Sequence, residues 1–95
     1  MTRLGALIDG LPAQAQDIAV TSVAIDHRQI VPGTLFGAFR GARFDAETVI
    51  AEAVAAGAVA VVARPEAQVA GAIHIAADEP RRAFALAAAR FFHKA

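Results

Sequence analysis

The sequence predicts one α/β domain: a small mixed β-sheet with packed helices and one βαβ crossover. Three observations predict it. A helical apolar stripe over 45–56 lies between two strand-like runs, 34–40 and 58–63. Such a crossover is right-handed and implies parallel pairing. The run Ala58–Ala63 is apolar throughout, as suits a strand covered on both faces. The length of 95 residues fits a single domain.

The elements follow in order. Thr2 can cap a short helix carrying Leu4, Leu7 and Ile8 at helical spacing, and Gly10 and Pro12 stop it. Two β-prone pieces come next, Ile18–Val20 and Ser22–Asp26, with Val23 and Ile25 on one face of the second. Val31-Pro32-Gly33-Thr34 is a turn, with proline preset at its second position and glycine supplying a positive φ at its third. Thr34–Arg40 reads as a strand and 41–45 as a loop. Asp45 caps a helix to about Ala56, which buries Val49, Ile50, Ala53 and Val54 and ends at Gly57. Ile73–Ile75 is a further strand that leaves His74 on the surface. Asp78 caps the last helix, with Pro80 in its first turn and Phe84, Ala87, Ala88 and Phe91 as the buried stripe. His93 and Lys94 suit its C-terminal dipole, whereas Arg81 and Arg82 oppose the N-terminal one and need solvent or a partner domain.

Composition narrows the function classes. The formal charge is zero, so there is no electrostatic footprint for nucleic acid or an acidic membrane. The apolar fraction of 57% excludes disorder, although 26 alanines mean that much of it buries little area. With no cysteine there is no disulfide framework, thiolate zinc site or thiol nucleophile. The apolar patch Leu4–Ile8 is too short for a signal peptide, and the longest uncharged run, 53–63, is too short to span a bilayer. A cytoplasmic protein is expected.

Catalytic signals are missing. The one lysine is Lys94, so there is no glycine-rich phosphate loop ending in Lys-Ser/Thr, nor a GxGxxG stretch. His27, His74 and His93 lie far apart, and Ser22 has no partner arrangement. Residues 24–45 stand out instead. A strand runs out at Asp26-His27-Arg28, a Pro-Gly turn returns the chain, and a second strand ends in a glycine loop carrying Arg43. Ligands commonly sit at such strand ends.

This segment resembles the N-terminal domain of the Mur ligases, the ATP-dependent enzymes of peptidoglycan precursor synthesis. The resemblance rests on Asp26-His27-Arg28, Pro32-Gly33, Leu35-Phe36, Ala38, Gly41 and Asp45 in order. It continues through Gly57-Ala58 and Ala60-Val61-Val62 to Asp78, Pro80-Arg81-Arg82-Ala83 and Ala89-Arg90-Phe91-Phe92. The last stretch is closest to the MurE-type ligases, which add the third peptide residue.

The resemblance implies that residues 1–95 form a uridine-nucleotide-binding domain, with the ATPase and C-terminal domains outside the chain. It implies UDP-N-acetylmuramoyl-dipeptide as the bound substrate and the central ATPase domain as partner. ATP and Mg2+ would serve a full-length enzyme, through an acyl phosphate attacked by an amine, and no cofactor is expected in this chain. Carried over by position, the uridine contacts fall at Ile25, His27 and the loop Ala42-Arg43-Phe44. Two positions depart from the pattern: the family serine is His27, and the glycine after the loop aspartate is Ala46.

Plainer readings stand beside these. His27 is equally an exposed strand-end histidine, Arg43 a solvated loop cation, and Asp26 and Arg28 strand-end residues that pair with neighbouring loops. Phe44 reads as a loop anchor in the core ahead of a base-stacking platform. The alternative for the whole chain is an interaction or scaffold module that kept the fold and lost the pocket. A small enzyme in its own right is disfavoured by the missing nucleophile, metal and phosphate-loop signals.

Without a phosphate-binding lysine, the purified chain should neither bind nor hydrolyse ATP. Magnesium-dependent ATP turnover above that of a Lys94→Ala control would contradict this.

Overall fold

Short apolar runs that cannot be half-exposed set the architecture. The computed structural model describes residues 2–94. In chain order the elements are β1 (Thr2–Arg3), α1 (Leu4–Leu7), α2 (Ala13–Gln16), β2 (Ala19–Val20), β3 (Ser22–Ala24), β4 (Thr34–Gly37), α3 (Ile50–Ala56), β5 (Ala58–Ala63), β6 (Ile73–Ala76) and α4 (Pro80–Lys94). Two 3-10 turns, His27–Gln29 and Ala46–Val49, complete them.

The main sheet has four strands in the order β3-β4-β5-β6, every pair parallel. A separate antiparallel pair, β1 with β2, joins Thr2 to Val20 and Arg3 to Ala19. The α/β class and the crossover through α3 are therefore as expected, and the antiparallel part is confined to that small pair.

Parallel strands need cover on both faces. β4 is buried at all four positions, and β5 is buried except at half-buried Val59. Alternation sends Leu35, Ala60 and Val62 to one face, where Leu4, Leu7, Val20, Phe84 and Ala87 meet them. Phe36 and Val61 point the other way, against Val49, Ile50 and Ala53. α3, with the 3-10 turn before it, thus buries Val49, Ile50 and Ala53 of its predicted stripe, and α4 buries Phe84 and Ala87 of its own. Arg90 ties α4 to the first turn of the chain, donating to the Leu7 carbonyl at 3.1 Å and pairing with Asp9.

The Pro32–Gly33 turn has the expected geometry. Gly33 has φ +92°, and the Thr34 N–H donates to the Val31 carbonyl at 3.2 Å. It sits at the starting edge of the sheet, so β4 runs parallel to β3. There the Thr21 N–H donates to the Gly33 carbonyl and the Gly33 N–H to the Gly57 carbonyl, each at 2.9 Å. Gly57 closes α3 at φ +123°, and a Cβ on it would stand 2.5 Å from the Pro32 Cα. Two glycines and a proline therefore lock this edge.

Several boundaries shift. Thr2 is not a cap but a strand residue, because pairing with Val20 holds its backbone extended; Arg3 precedes α1 without a side-chain cap bond. The second β piece ends at Ala24, since Asp26 turns the chain, and the third ends at Gly37. Residues 46–49 wind as 3-10 before the α-helix proper begins at Ile50. Asp78 makes no capping hydrogen bond among the described residues; the first helical bond runs from Ala83 N–H to the Glu79 carbonyl. α2 was not anticipated in the Ala13–Gln16 stretch, where Ala15 alone is buried. His74 is half-buried, its Nε2 at 3.0 Å from the Arg64 carbonyl. No helix among the described residues is long and apolar enough to cross a membrane.

Phe84 is 9% exposed and meets Phe39 edge-on, whereas Phe91, expected to be equally buried, is only half-buried near the end of α4. Phe84→Ala should therefore cost about 3–5 kcal/mol and Phe91→Ala distinctly less. Urea denaturation of both variants checks this, and wild-type stability of Phe84→Ala would contradict the packing.

Candidate functional site

Parallel pairing of β3 and β4 delivers their C-terminal ends to one edge. The segments 25–28 and 38–45 leave from there. In the first, the Asp26 carboxylate accepts from the Arg28 backbone N–H at 2.9 Å, which caps the 3-10 turn. It also holds the Arg28 guanidinium by two bonds, Nε to Oδ1 at 3.0 Å and Nη2 to Oδ2 at 2.9 Å. Asp26 and Arg28 are thus a structural pair. Arg28 brings the Asp26 carboxyl down from 3.8 to about 2, by its side-chain hydrogen bonds first and its backbone N–H second.

In the second segment, Arg40 and Asp45 form an antiparallel bridge around a tight loop. The Gly41 N–H donates to the Phe44 carbonyl at 2.9 Å, and a Cβ on Gly41 would stand 2.9 Å from that same oxygen. Asp45 then accepts from the Glu47 N–H and starts the next 3-10 turn. Ala46 donates its N–H to the Phe39 carbonyl at 2.9 Å, and no non-glycine residue among those described has a positive φ. Alanine in place of glycine there carries no backbone strain.

The two segments meet through rings. Those of His27 and Phe44 lie 5.7 Å apart between centroids with an interplanar angle of 17°. His27 Nδ1 is 4.0 Å from Asp26 Oδ1, and Nε2 is 4.0 Å from Glu52 Oε2 on α3. An open cleft of about 400 Å³ is lined by His27, Arg28 and Phe44.

The sequence-predicted residues are therefore partly gathered. His27 and Phe44 share the cleft. Ala42 and Arg43 are exposed at the loop tip, and Arg43 makes no ion pair among the described residues. Ile25 is 60% exposed and lies outside the cleft lining. Phe44 is not a core anchor: it is 52% exposed, because the Gly41–Phe44 hydrogen bond turns the loop outward. Glu52 was missed, since nothing in the sequence links a helix position to a histidine so far upstream.

A second cleft, of about 350 Å³, opens between Phe39–Arg40 and the start of α4. Its arginines are engaged within the fold. Arg64 makes a bidentate pair with Glu47 at 2.7 and 3.0 Å, and that pairing lowers the Glu47 pKa. Arg81 lies over the Phe39 ring and donates to the Arg40 carbonyl at 3.2 Å, while Arg82 sits 3.9 Å from Glu79. Neither Arg81 nor Arg82 needs a partner domain to be satisfied. No group of three potential metal ligands occurs among the described residues.

This edge carries an open cleft, and known proteins share the sequence of the chain. Residues 19–92 match the family described as "Mur ligase family, catalytic domain". That match takes in most of the chain, and the chain belongs to the Mur ligase family. It is 49% identical over 83 residues to the UDP-N-acetylmuramoyl-L-alanyl-D-glutamate--2,6-diaminopimelate ligase of Zymomonas mobilis, covering 87% of this chain and 17% of that protein. The ligase of the same name from Bradyrhizobium diazoefficiens is 49% identical over 75 residues, covering 79% of this chain and 16% of that protein. The UDP-N-acetylmuramoyl-tripeptide--D-alanyl-D-alanine ligase of Mycobacterium leprae is 52% identical over 60 residues, covering 62% of this chain and 12% of that protein. The chain thus spans about a sixth or less of the length of these relatives.

The Asp26–Arg28 pair has a pH signature. A carboxyl whose folded pKa is depressed adds stability above its unfolded value and loses it as pH falls through the folded one. That window runs from 3.8 down to about 2. Asp26→Asn keeps an acceptor for the turn but removes the charge, so its stability should fall less steeply with acid in this window. Denaturant unfolding at several pH values checks this; identical acid slopes would show that the pair contributes nothing.

Proposed function

We propose that this chain is the N-terminal substrate-binding domain of a peptidoglycan-precursor ligase and holds the UDP end of a UDP-N-acetylmuramoyl-peptide. The observation that carries this reading is the convergence of segments 25–28 and 41–45 on one open cleft at the C-terminal edge of a parallel sheet. Strand-end backbone groups can match the acceptors and the one N–H donor of a uracil edge without charged side chains. The diphosphate calls for cations. Arg43 is the loop cation with no ion pair among the described residues, and a guanidinium suits bidentate phosphate contacts. His27 stands where the family serine would contact the nucleotide, and an imidazole can also donate or accept there.

The relatives support assigning the shared end of the substrate. Their names differ in the group that is added, diaminopimelate in one case and D-alanyl-D-alanine in the other, but share UDP-N-acetylmuramoyl. A segment similar to both fits the part of the substrate that both hold in common. In this reading ATP and Mg2+ are bound outside residues 1–95, and so is the amine that attacks the acyl phosphate. The work is cytoplasmic, and the ATPase domain is the partner in the same full-length chain.

Sugar, peptide and ATPase-domain contacts are missing from the isolated chain, so UDP should bind weakly, with a Kd on the order of 0.1 to several mM. Arg43→Ala should weaken UDP more than uridine, because it removes a phosphate partner and leaves the base contacts. His27→Ala should weaken both alike. NMR titration with UDP, uridine and cytidine tests this. Absence of shifts at 25–28 and 41–45 at ~10 mM UDP would overturn the nucleotide reading and leave the scaffold alternative.

A further inference from the structure

We infer that Glu52 on α3 makes the hold on a diphosphate proton-dependent: its carboxylate repels the ligand until the His27 imidazole beside it takes up a proton. This rests on the uridine-nucleotide reading above and adds how that site is regulated.

The surroundings of the ring carry the inference. Each ring nitrogen faces a carboxylate oxygen, Nδ1 that of Asp26 and Nε2 that of Glu52, both at 4.0 Å. A neutral imidazole donates from one nitrogen and accepts at the other, so one carboxylate always meets a lone pair. The imidazolium donates from both. On its flat side the ring meets Phe44, which is uncharged, at 5.7 Å between centroids. In that same loop Arg40 stays with Asp45, and Arg43 is exposed at the tip. The two carboxylates differ. Asp26 is held by two bonds from the Arg28 guanidinium, which compensates its charge. Glu52 has His27 as its one ion-pair partner among the described residues. It therefore leaves an uncompensated negative charge beside the cleft that His27 and Arg28 line.

Histidine is the side chain that changes charge between roughly pH 5 and 8. A proton from solvent adds to the ring nitrogen that lacks one, and the Glu52–His27 pair loses its net negative charge. By linkage, a ligand that favours the protonated ring binds more tightly where the ring is protonated. Affinity for a diphosphate should therefore rise as pH falls, whereas uncharged uridine should gain nothing. The family serine at position 27 could not act in this way, because a hydroxyl does not titrate in this range.

The test is NMR titration at about pH 6 and about pH 8, on either side of that change. The probe is UDP-N-acetylglucosamine, whose bridged diphosphate carries no proton that ionises in between, and uridine is the uncharged control. The wild type should bind the UDP-sugar about 3- to 5-fold more tightly at the lower pH, the size of an exposed ion pair, and uridine equally at both. Glu52→Gln and His27→Ser, each first shown to be folded by its amide spectrum, should lose most of this ratio. At the higher pH, Glu52→Gln should also bind the UDP-sugar more tightly than the wild type, because the repelling charge is gone. Weaker binding by Glu52→Gln at both pH values would show a merely structural role and overturn the inference. So would a ratio near one in the wild type, or a ratio that Glu52→Gln leaves unchanged; in each case the uridine reading stands. No binding of either ligand by the wild type overturns both.

Discussion

The parallel pairing of β4 with β5 is the constraint on which the rest of the structure depends. β4 is buried at every position, so both of its faces must be covered, and α3 and α4 with α1 cover them. Parallel register sends the strand ends to one edge and the returns to the other. At the return edge, Gly33, Gly57 and Pro32 pack too closely for any side chain at Gly57. Moving either glycine would move the ends of β4 and β5, and with them the loop that carries Arg43 and Phe44.

The edge that results is stiff and nearly self-neutral. Asp26 spends its charge on Arg28, Glu47 on Arg64, and Arg40 faces Asp45 across the loop. Most of its cations are thus fixed in place within the fold, and Arg43 at the tip makes no ion pair among the described residues. Such an edge suits the proposed role of holding a phosphorylated molecule. Its histidine is set between carboxylates and an aromatic ring.

Much of this was legible in the sequence because the determinants are local. Asp45, the apolar stripe and Gly57 mark α3 within thirteen residues of chain; the unbroken run of alanines and valines marks β5; Pro32-Gly33 fixes its own turn. The elements that were not legible depend on partners distant in sequence. Thr2 looks like a cap until Val20 pairs with it, and α2 is held by one buried alanine. In the site, a structural role for Asp26 and Arg28 was legible, but they pair with each other and not with neighbouring loops, because the 3-10 turn brings the guanidinium back to the capping carboxylate, and the exposure of Phe44 was not legible. An apolar residue beside a loop reads as an anchor unless the backbone bond from Gly41 to Phe44 is known. The approach of Glu52 to His27 exists only once α3 has folded back over the sheet.

The central claim is that the two strand-end segments form one nucleotide site, and a crystal structure of the chain grown with UDP tests it most directly. The account predicts ligand density at the C-terminal edge of β3 and β4, with the base against Phe44 and the diphosphate near Arg43. Density for UDP in the cleft at the start of α4, with the His27–Phe44 edge unchanged and empty, would contradict it.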